Sequence, residues 1–340
     1  MPQTRDRRLD LSKGLLIAGV VLGHFLETSG GQEPGDLYSG WSHDPQRWVL
    51  TFLYLFHMPL FVFLAGITAR SSGVAHRVAE MAGLYLLLQI AYVVPRFGFD
   101  SLTSDRLLDP TYALWFLLAM VWWLLSLPVV ERLGAWALPV ATAASVIAVV
   151  LPYPDGNLVA WSRALCFWPF FVAGRLYGVG ALRRTVSLPP AVRVAAATAL
   201  VATTTVVVKT GLAPQWFRGA DGAIAMDVSG LQAMTFRVLC LGLAILCGAC
   251  VLALIPAHMQ VPEALGRRSL AIYALHIPMV FVMEVVFESV GLAPIEATLL
   301  AVALTIVMLR ILVFPVFDKA VRRTASTMAA VAVPPVLARR

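Results

Sequence analysis

The sequence predicts an all-α integral membrane protein, a bundle of about ten transmembrane helices with both termini in the cytoplasm. Three observations support this fold class. Hydrophobic residues make up 59% of the 340 residues and charged residues only 13%, whereas a soluble domain carries about 25% charged residues. The mean hydropathy is +0.81. Apolar runs of about 20 residues, the length that spans a bilayer, recur from one end of the chain to the other.

The apolar runs define the individual spans. The interruptions between them are rich in Pro, Gly and charged residues, as loops are. No small-residue cleavage site follows the first run, which is therefore predicted to be a retained helix. The predicted spans are residues 11–28, 47–68, 78–96, 111–130, 134–152, 161–180, 190–210, 230–254, 269–290 and 296–317.

Basic residues predict the orientation of the bundle. The net charge is +7, and with a cytoplasmic N-terminus 18 of the 26 Lys and Arg residues lie on the cytoplasmic side and 6 on the opposite side. Cytoplasmic loops carry such an excess, so the charge is explained without a nucleic-acid partner. Residues 1–318 are expected to form one transmembrane domain, and residues 319–340 a short, poorly ordered cytoplasmic tail. The expected location is the plasma (inner) membrane, as a multi-pass protein.

Polar side chains inside the first span are candidates for a functional site, because a charge at membrane depth is costly unless it is paired or faces water. Asp10 and Lys13 lie at the predicted cytoplasmic mouth, and His24 follows Lys13 by 11 residues. That spacing is close to three turns, roughly 16 Å along one helix face. It predicts a cavity with a cation at its mouth and an imidazole deep inside. The structural alternative is that Lys13 only anchors the span.

Two later spans repeat a histidine followed two residues later by a proline. His57 lies near the middle of the second span, where Pro59 is expected to kink the helix. The ninth span contains His276 and Pro278, preceded by Tyr273. For both histidines, helix packing and catalysis remain equally open.

Arg163 begins the sixth span from the predicted outer side, and interfacial anchoring is the alternative to a role in catalysis. The sequence contains no Gly-rich phosphate loop, and its His and Cys residues do not cluster with the spacing of metal ligands. No metal site is therefore expected.

Four stretches, taken in order, resemble the acyltransferase 3 family of membrane-bound O-acyltransferases, and in particular its fucose 4-O-acetylase type. They are R-L-D-L-S-K-G at 8–14 with His24 at the basic-x10-His spacing, F-H-M-P-L-F-V-F-L-A-G at 56–66, L-W-F-L at 114–117 and I-Y-A-L-H at 272–276. The segment F-W-P-F-F-V-A-G-R at 167–175 is also similar to the sixth-span region of the family. The likeness extends over nearly the whole chain.

The resemblance implies transfer of an acyl group, usually acetyl, from cytoplasmic acyl-CoA to a hydroxyl at or beyond the membrane. His24 matches the catalytic histidine of the family, and Lys13 matches the basic residue of the same motif, where Arg is common. Family members also use basic residues at the inner ends of the next helices, and Arg70 is the nearest candidate. The implied partners are acyl-CoA, as donor substrate rather than permanently bound cofactor, a carbohydrate or glycoside acceptor, and the bilayer.

Together, the residues and the resemblance predict a mechanism in which His24 is the general base on the acceptor hydroxyl. The predicted donor-binding residues are Arg8, Asp10, Lys13, Arg70 and Arg77. The other predicted catalytic residues are His57, Arg163, Tyr273 and His276, of which the last three are the candidates for stabilising the oxyanion. An acyl-histidine intermediate stays open. The alternative function is a transporter or flippase for an envelope sugar or lipid.

Overall fold

The computed structural model describes residues 6–29, 44–151, 158–212, 215–256 and 258–332. Within these ranges the chain forms helices joined by turns and contains no strand, which confirms the predicted all-α class. The helices are α1 (Arg7–Ser29), α2 (Asp44–Tyr54), α3 (His57–Thr68), α4 (Val74–Phe97), α5 (Ser104–Leu108), α6 (Trp115–Leu133), α7 (Ala137–Ala148), α8 (Trp161–Arg184), α9 (Pro190–Thr210), α10 (Gln215–Arg218), α11 (Gly230–Leu254), α12 (Gln260–Arg267), α13 (Ser269–Leu275), α14 (Ile277–Val290), α15 (Pro294–Leu312) and α16 (Pro315–Ala332).

The described residues contain eight helical stretches that are long and apolar enough to span a membrane, or nine if the bent pair α13–α14 is one span. The predicted spans 111–130 and 134–152 account for the difference from ten. A short 3₁₀ turn joins α6 to α7, so that Tyr112–Ala148 forms one helical stretch. The 12 residues of α7 extend about 18 Å, which is too short to cross the hydrocarbon core alone.

The chain after residue 318 is more regular than the sequence predicts. Instead of a poorly ordered tail, residues 319–332 continue α16. The buried residues Val321, Ala325 and Ala329 follow one another at intervals of four, so a single stripe of small side chains packs on one helix face. Residues 333–340 of the predicted tail lie outside the described residues.

The chain divides into two compact units. Unit 1 comprises Met1–Leu64, Tyr177–Phe217 and Leu239–Asp318, and unit 2 comprises Ala65–Leu176, Arg218–Val238 and Lys319–Arg340. Within unit 1, α1 packs against α2, α12, α14 and α15. Apolar residues along α1, such as Ile17 and Phe25, are fully buried.

Two glycines permit a close helix contact within unit 1. A Cβ added to Gly14 would collide with the carbonyl group of Pro262, and one added to Gly266 would collide with that of Asp10. α1 and α12 therefore touch backbone to backbone, an approach that only small residues permit. This contact fixes the position of the first half of α1.

Within unit 2, α4 packs against α6, and the buried Trp123 of α6 stacks on Phe171 of α8 at 5.7 Å between ring centroids. A buried amide holds the connection that follows α4. Nε2 of Gln89 donates to the carbonyl oxygens of Arg106 and Asp109 at 2.7 and 2.8 Å. Because these carbonyls are satisfied by a fully buried side chain, the connection is tied to the helix.

Candidate active site

Two histidines from distant parts of the chain meet in unit 1. Nδ1 of His24, on α1, lies 2.8 Å from Nε2 of His276, and the two rings are nearly coplanar, with 5.0 Å between their centroids and only 8° between their planes. His276 is fully buried, whereas His24 is half-buried. We call these residues the His24–His276 pair. One member is thus enclosed by protein, and the other retains access to its surroundings.

A helix break positions His276. It lies between α13 and α14, which meet at 41°, and its Nδ1 is 3.0 Å from the carbonyl oxygen of Ile272 and 2.9 Å from that of Tyr273. A carbonyl oxygen only accepts hydrogen bonds, so the neutral ring carries its proton on Nδ1 and its lone pair on Nε2.

The tautomer of His24 follows from that assignment, which rests on the hydrogen-bond pattern. Because Nε2 of His276 accepts, Nδ1–H of His24 must donate in the 2.8 Å contact. The lone pair of His24 then lies on Nε2, the nitrogen on the far side of the ring. A base held by a buried acceptor in this way is the arrangement that proton abstraction from a hydroxyl requires.

A second polar cluster lies one turn further along α1. Glu27 follows His24 by three residues and so lies on the same side of the helix, and Oε1 of Glu27 accepts a hydrogen bond from the hydroxyl of Tyr54. The ring of Tyr54 contacts that of His57 edge to face at 4.9 Å. Nδ1 of His57 donates to the carbonyl oxygen of Leu53 at 2.7 Å. We call Glu27, Tyr54 and His57 the Glu27 cluster.

Sequence reasoning missed Glu27 and Tyr54. Glu27 falls near the predicted outer end of the first span, where an acidic residue is common. Tyr54 is one of 8 tyrosines, and nothing in its local sequence distinguishes it. The available signal is the spacing of three residues between His24 and Glu27, which predicts a shared helix face.

An almost wholly apolar cavity of about 290 Å³ lies beside the Glu27 cluster within unit 1. His57 is its one titratable wall residue among the residues that line it. The others come from α1, α2, the turn between α2 and α3, α9, α11 and the turn that follows α11: Leu15, Leu16, Gly19, Phe52, Leu53, Phe56, Leu200, Val251, Leu254, Ile255 and Pro256. Such walls suit hydrocarbon rather than a charged group.

The predicted donor-binding residues of α1 have different surroundings from one another. Arg8 is buried, and its Nη2 donates to the carbonyl oxygens of Leu252 and Ile255 at 3.1 and 3.4 Å. It therefore caps the C-terminal end of α11. Asp10 is buried at the contact with α12. Lys13 is half-buried.

The remaining predicted residues divide between the two units. Tyr273 accompanies the His24–His276 pair, with its ring centroid 6.3 Å from that of His276. Arg70, Arg77 and Arg163 belong to unit 2. Nη2 of Arg77 donates to the carbonyl oxygen of Arg70. The Arg77 guanidinium therefore contacts the Arg70 backbone, where α3 leads into α4. The guanidinium of Arg163 lies 5.1 Å from the centroid of the Trp115 ring.

Comparison with known proteins gives one match. A family model for an acyltransferase domain, that of the acyltransferase 3 family, matches residues 6–314. No curated protein and no solved structure matches the chain. The matched segment runs from α1 to α15 and includes both members of the His24–His276 pair.

Proposed function

Since the chain belongs to the acyltransferase 3 family and forms a multi-pass membrane protein, we propose that it transfers an acetyl group from acyl-CoA to a hydroxyl of a carbohydrate or similar acceptor. One observation carries the proposal. The hydrogen bond between His24 and His276 assigns the lone pair of His24 to Nε2, which gives a general base inside a helix bundle. We place the enzyme in the plasma (inner) membrane.

In the proposed reaction, Nε2 of His24 takes the proton of the acceptor hydroxyl while the hydroxyl oxygen attacks the thioester carbonyl carbon. The tetrahedral intermediate collapses with cleavage of the C–S bond. The departing sulfur takes the proton from the His24 imidazolium, so the products are the ester and CoA thiol. His276 accepts from Nδ1–H of His24 throughout, which orients the ring and stabilises the transient positive charge.

We propose Tyr273 as the donor that stabilises the oxyanion. Both ring nitrogens of His276 are engaged, Nδ1 with carbonyl oxygens and Nε2 with His24, so that residue has no N–H for the developing charge. The phenol of Tyr273 carries a hydroxyl donor on the same helical segment. Arg163 belongs to unit 2 and has no part in this proposal.

We propose that the acceptor binds against the Glu27 cluster. A carboxylate accepts hydrogen bonds from hydroxyl groups, and a phenol both donates and accepts. Glu27 lies one turn from His24 on the same side of α1, so a compound with several hydroxyls can present one to the base while others bond to Glu27 and Tyr54. This arrangement supports a carbohydrate or another polyol as acceptor.

For the donor, Lys13 remains the proposed contact on α1, because it shares a helix face with His24. Arg70 and Arg77 belong to unit 2, so their contact with the donor stays a prediction from the sequence. Arg8 and Asp10 are more simply explained by the packing of α1 against α11 and α12.

The test is release of CoA thiol and labelling of an acceptor by purified protein supplied with labelled acetyl-CoA. Substitution His24→Ala should remove the base and lower the turnover number by about 10²- to 10⁴-fold. His76→Ala is the matched control, because His76 pairs with Glu80 at 3.5 Å in unit 2 and lies outside the proposed site. Its turnover should stay within about twofold of the unsubstituted protein, as for a surface position.

Full activity in correctly inserted His24→Ala protein would contradict the assignment of the base. Solute flux across proteoliposomes without any thioester cleavage would replace the proposal by the transporter or flippase alternative, which the buried polar residues of a helix bundle also suit.

A further inference from the structure

Two arginines of unit 1 lie two helical turns before walls of the apolar cavity that His57 lines. Arg8 precedes the wall residue Leu15 on α1 by seven residues, and Arg193 precedes the wall residue Leu200 on α9 by the same number. Seven residues make about two turns of helix, so each arginine shares a helix face with its wall residue. We call Arg8 and Arg193 the arginine pair.

Both members of the arginine pair lie at the same end of the cavity. Their guanidinium groups are close enough for their charges to repel each other, while Leu15 and Leu200 line one cavity. Nη2 of Arg8 also donates to the carbonyl oxygen of Ile255, itself a wall residue, at 3.4 Å. The arginine pair therefore borders the cavity directly.

The arginine pair has donors that the described part of the chain does not use. Arg8 is only 7% exposed, and the Nε of each arginine is buried without a hydrogen-bond partner among the described residues. Asp6 attracts Arg8, but Oδ1 of Asp6 already accepts from the backbone N–H groups of Arg8 and Leu9 at 2.9 and 3.3 Å. Like charges side by side, one of them buried, are stabilised by an anion that contacts both.

The cavity itself has the walls and the size of a hydrocarbon site. Its walls are apolar apart from His57, and it is not fully enclosed. A cavity of roughly 150 Å³ accommodates a benzene molecule, so about 290 Å³ leaves room for one chain of roughly twelve carbon atoms. Wall atoms that face an unfilled space lose their van der Waals contacts, and a hydrocarbon chain restores them.

We propose that the cavity and the arginine pair together bind a single-chain amphiphile with an oxyanion head, of which a fatty acid is the simplest. The hydrocarbon chain fills the cavity, and the carboxylate or phosphate head lies against the arginine pair, because the planar fork of a guanidinium matches both groups. A lipid with two acyl chains fits less well, since the cavity takes one chain. The ligand is bound and not transformed, so the site is distinct from the proposed acyl transfer.

Binding is measured with radiolabelled dodecanoate on protein in phosphatidylcholine nanodiscs, and empty nanodiscs give the amount that partitions into lipid alone. We expect saturable binding above that amount. Dodecanol has the tail without the charge and acetate has the head without the tail, so both should compete at least about tenfold more weakly than unlabelled dodecanoate. Dodecyl phosphate distinguishes the two heads: stronger competition than dodecanoate assigns the site to a phosphate head, and weaker competition assigns it to a fatty acid.

Two substitutions separate the head from the tail. Arg193→Gln, at a half-buried position, removes a charge-assisted contact and should weaken dodecanoate binding about tenfold without changing that of dodecanol. Leu254→Phe fills part of the cavity and should weaken dodecanoate more than octanoate. Arg8 is left unchanged because it also caps α11. Arg184→Gln, at an exposed position of unit 1, is the control and should bind as the unsubstituted protein does.

Absence of saturable binding above that of empty nanodiscs would overturn the proposal. So would equal affinities for dodecanoate and dodecanol, or unchanged dodecanoate binding by Arg193→Gln protein. Displacement of dodecanoate by acetyl-CoA would overturn it as well, because the arginine pair would then belong to the donor site. None of these measurements requires acyl transfer, so this proposal and the proposed function can fail separately.

Discussion

Two helix breaks in unit 1 share a local pattern and differ in their surroundings. In each, a histidine stands at the break, a proline follows two residues later, and Nδ1 donates to the carbonyl oxygen four residues earlier. For His57 that oxygen belongs to Leu53, at 2.7 Å, and for His276 it belongs to Ile272, at 3.0 Å. Both neutral rings therefore carry the lone pair on Nε2.

The two breaks differ in the group that lies next to the second ring nitrogen or ring edge of each histidine. Nε2 of His276 accepts from His24, whereas His57 contacts the edge of the Tyr54 ring and lines the apolar cavity. The local pattern thus prepares a ring with a defined lone pair, and the helix packed opposite decides how that lone pair is used. We expect the first break to serve substrate binding and the second to serve proton transfer.

The largest expected effect comes from removing each histidine in turn. His276→Ala deprives His24 of its acceptor and should lower the turnover number by about a hundredfold or more, within the range of general-base contributions. His57→Ala should lower it by less than about tenfold and act mainly on the Michaelis constant of the acceptor. Equal losses of turnover in the two variants, measured by CoA-thiol release, would remove the distinction between the breaks.

A smaller effect is expected from the Glu27 cluster, which joins the first break to α1. Glu27→Gln keeps the size of the side chain but loses the charge, and should raise the Michaelis constant of the acceptor about tenfold, as for a charge-assisted hydrogen bond. The Michaelis constant of acetyl-CoA should not change. Tyr54→Phe, which removes one hydroxyl, should raise the same Michaelis constant by a smaller factor. If the donor constant rises instead, the Glu27 cluster belongs to the donor site.

The smallest effect concerns the cavity beside His57. Leu254→Phe adds a ring at a half-buried wall position and should leave acetyl transfer within about twofold, because a two-carbon acyl group needs little of the cavity volume. Transfer of longer acyl groups should fall relative to acetyl if the cavity holds the acyl chain. An unchanged ratio between acetyl-CoA and octanoyl-CoA turnover would exclude the cavity from donor selection.

The sequence predicted the elements of this comparison better than their assembly. The apolar runs of the sequence form helices almost throughout the described residues. His57 and His276 could be selected from the sequence because polar side chains are rare in membrane spans. The contact between His24 and His276 spans 252 residues, and no local periodicity encodes it. Predicted roles for the site residues stay predictions.

The structure differs from the sequence prediction at the junction of α6 and α7 and in the segment after residue 318. A 3₁₀ turn joins α6 to α7, so the predicted spans 111–130 and 134–152 fall in one helical stretch, although Gly134 at their junction has a non-helical φ of 55°. In α16, the small residues at intervals of four form one buried helix face. This pattern is too weak to predict a packed helix among the charged residues of the segment.

The order of synthesis gives the His24–His276 pair a further meaning. α1 leaves the ribosome among the first helices, yet its polar partner arrives 252 residues later. Contacts so distant in sequence form late, because the intervening chain must be ordered first. Until α13 and α14 insert, His24 lacks its orienting acceptor. A chain interrupted anywhere before His276 therefore cannot assemble the proposed base. The proposed acyl transfer then requires that synthesis has continued through the ninth predicted span.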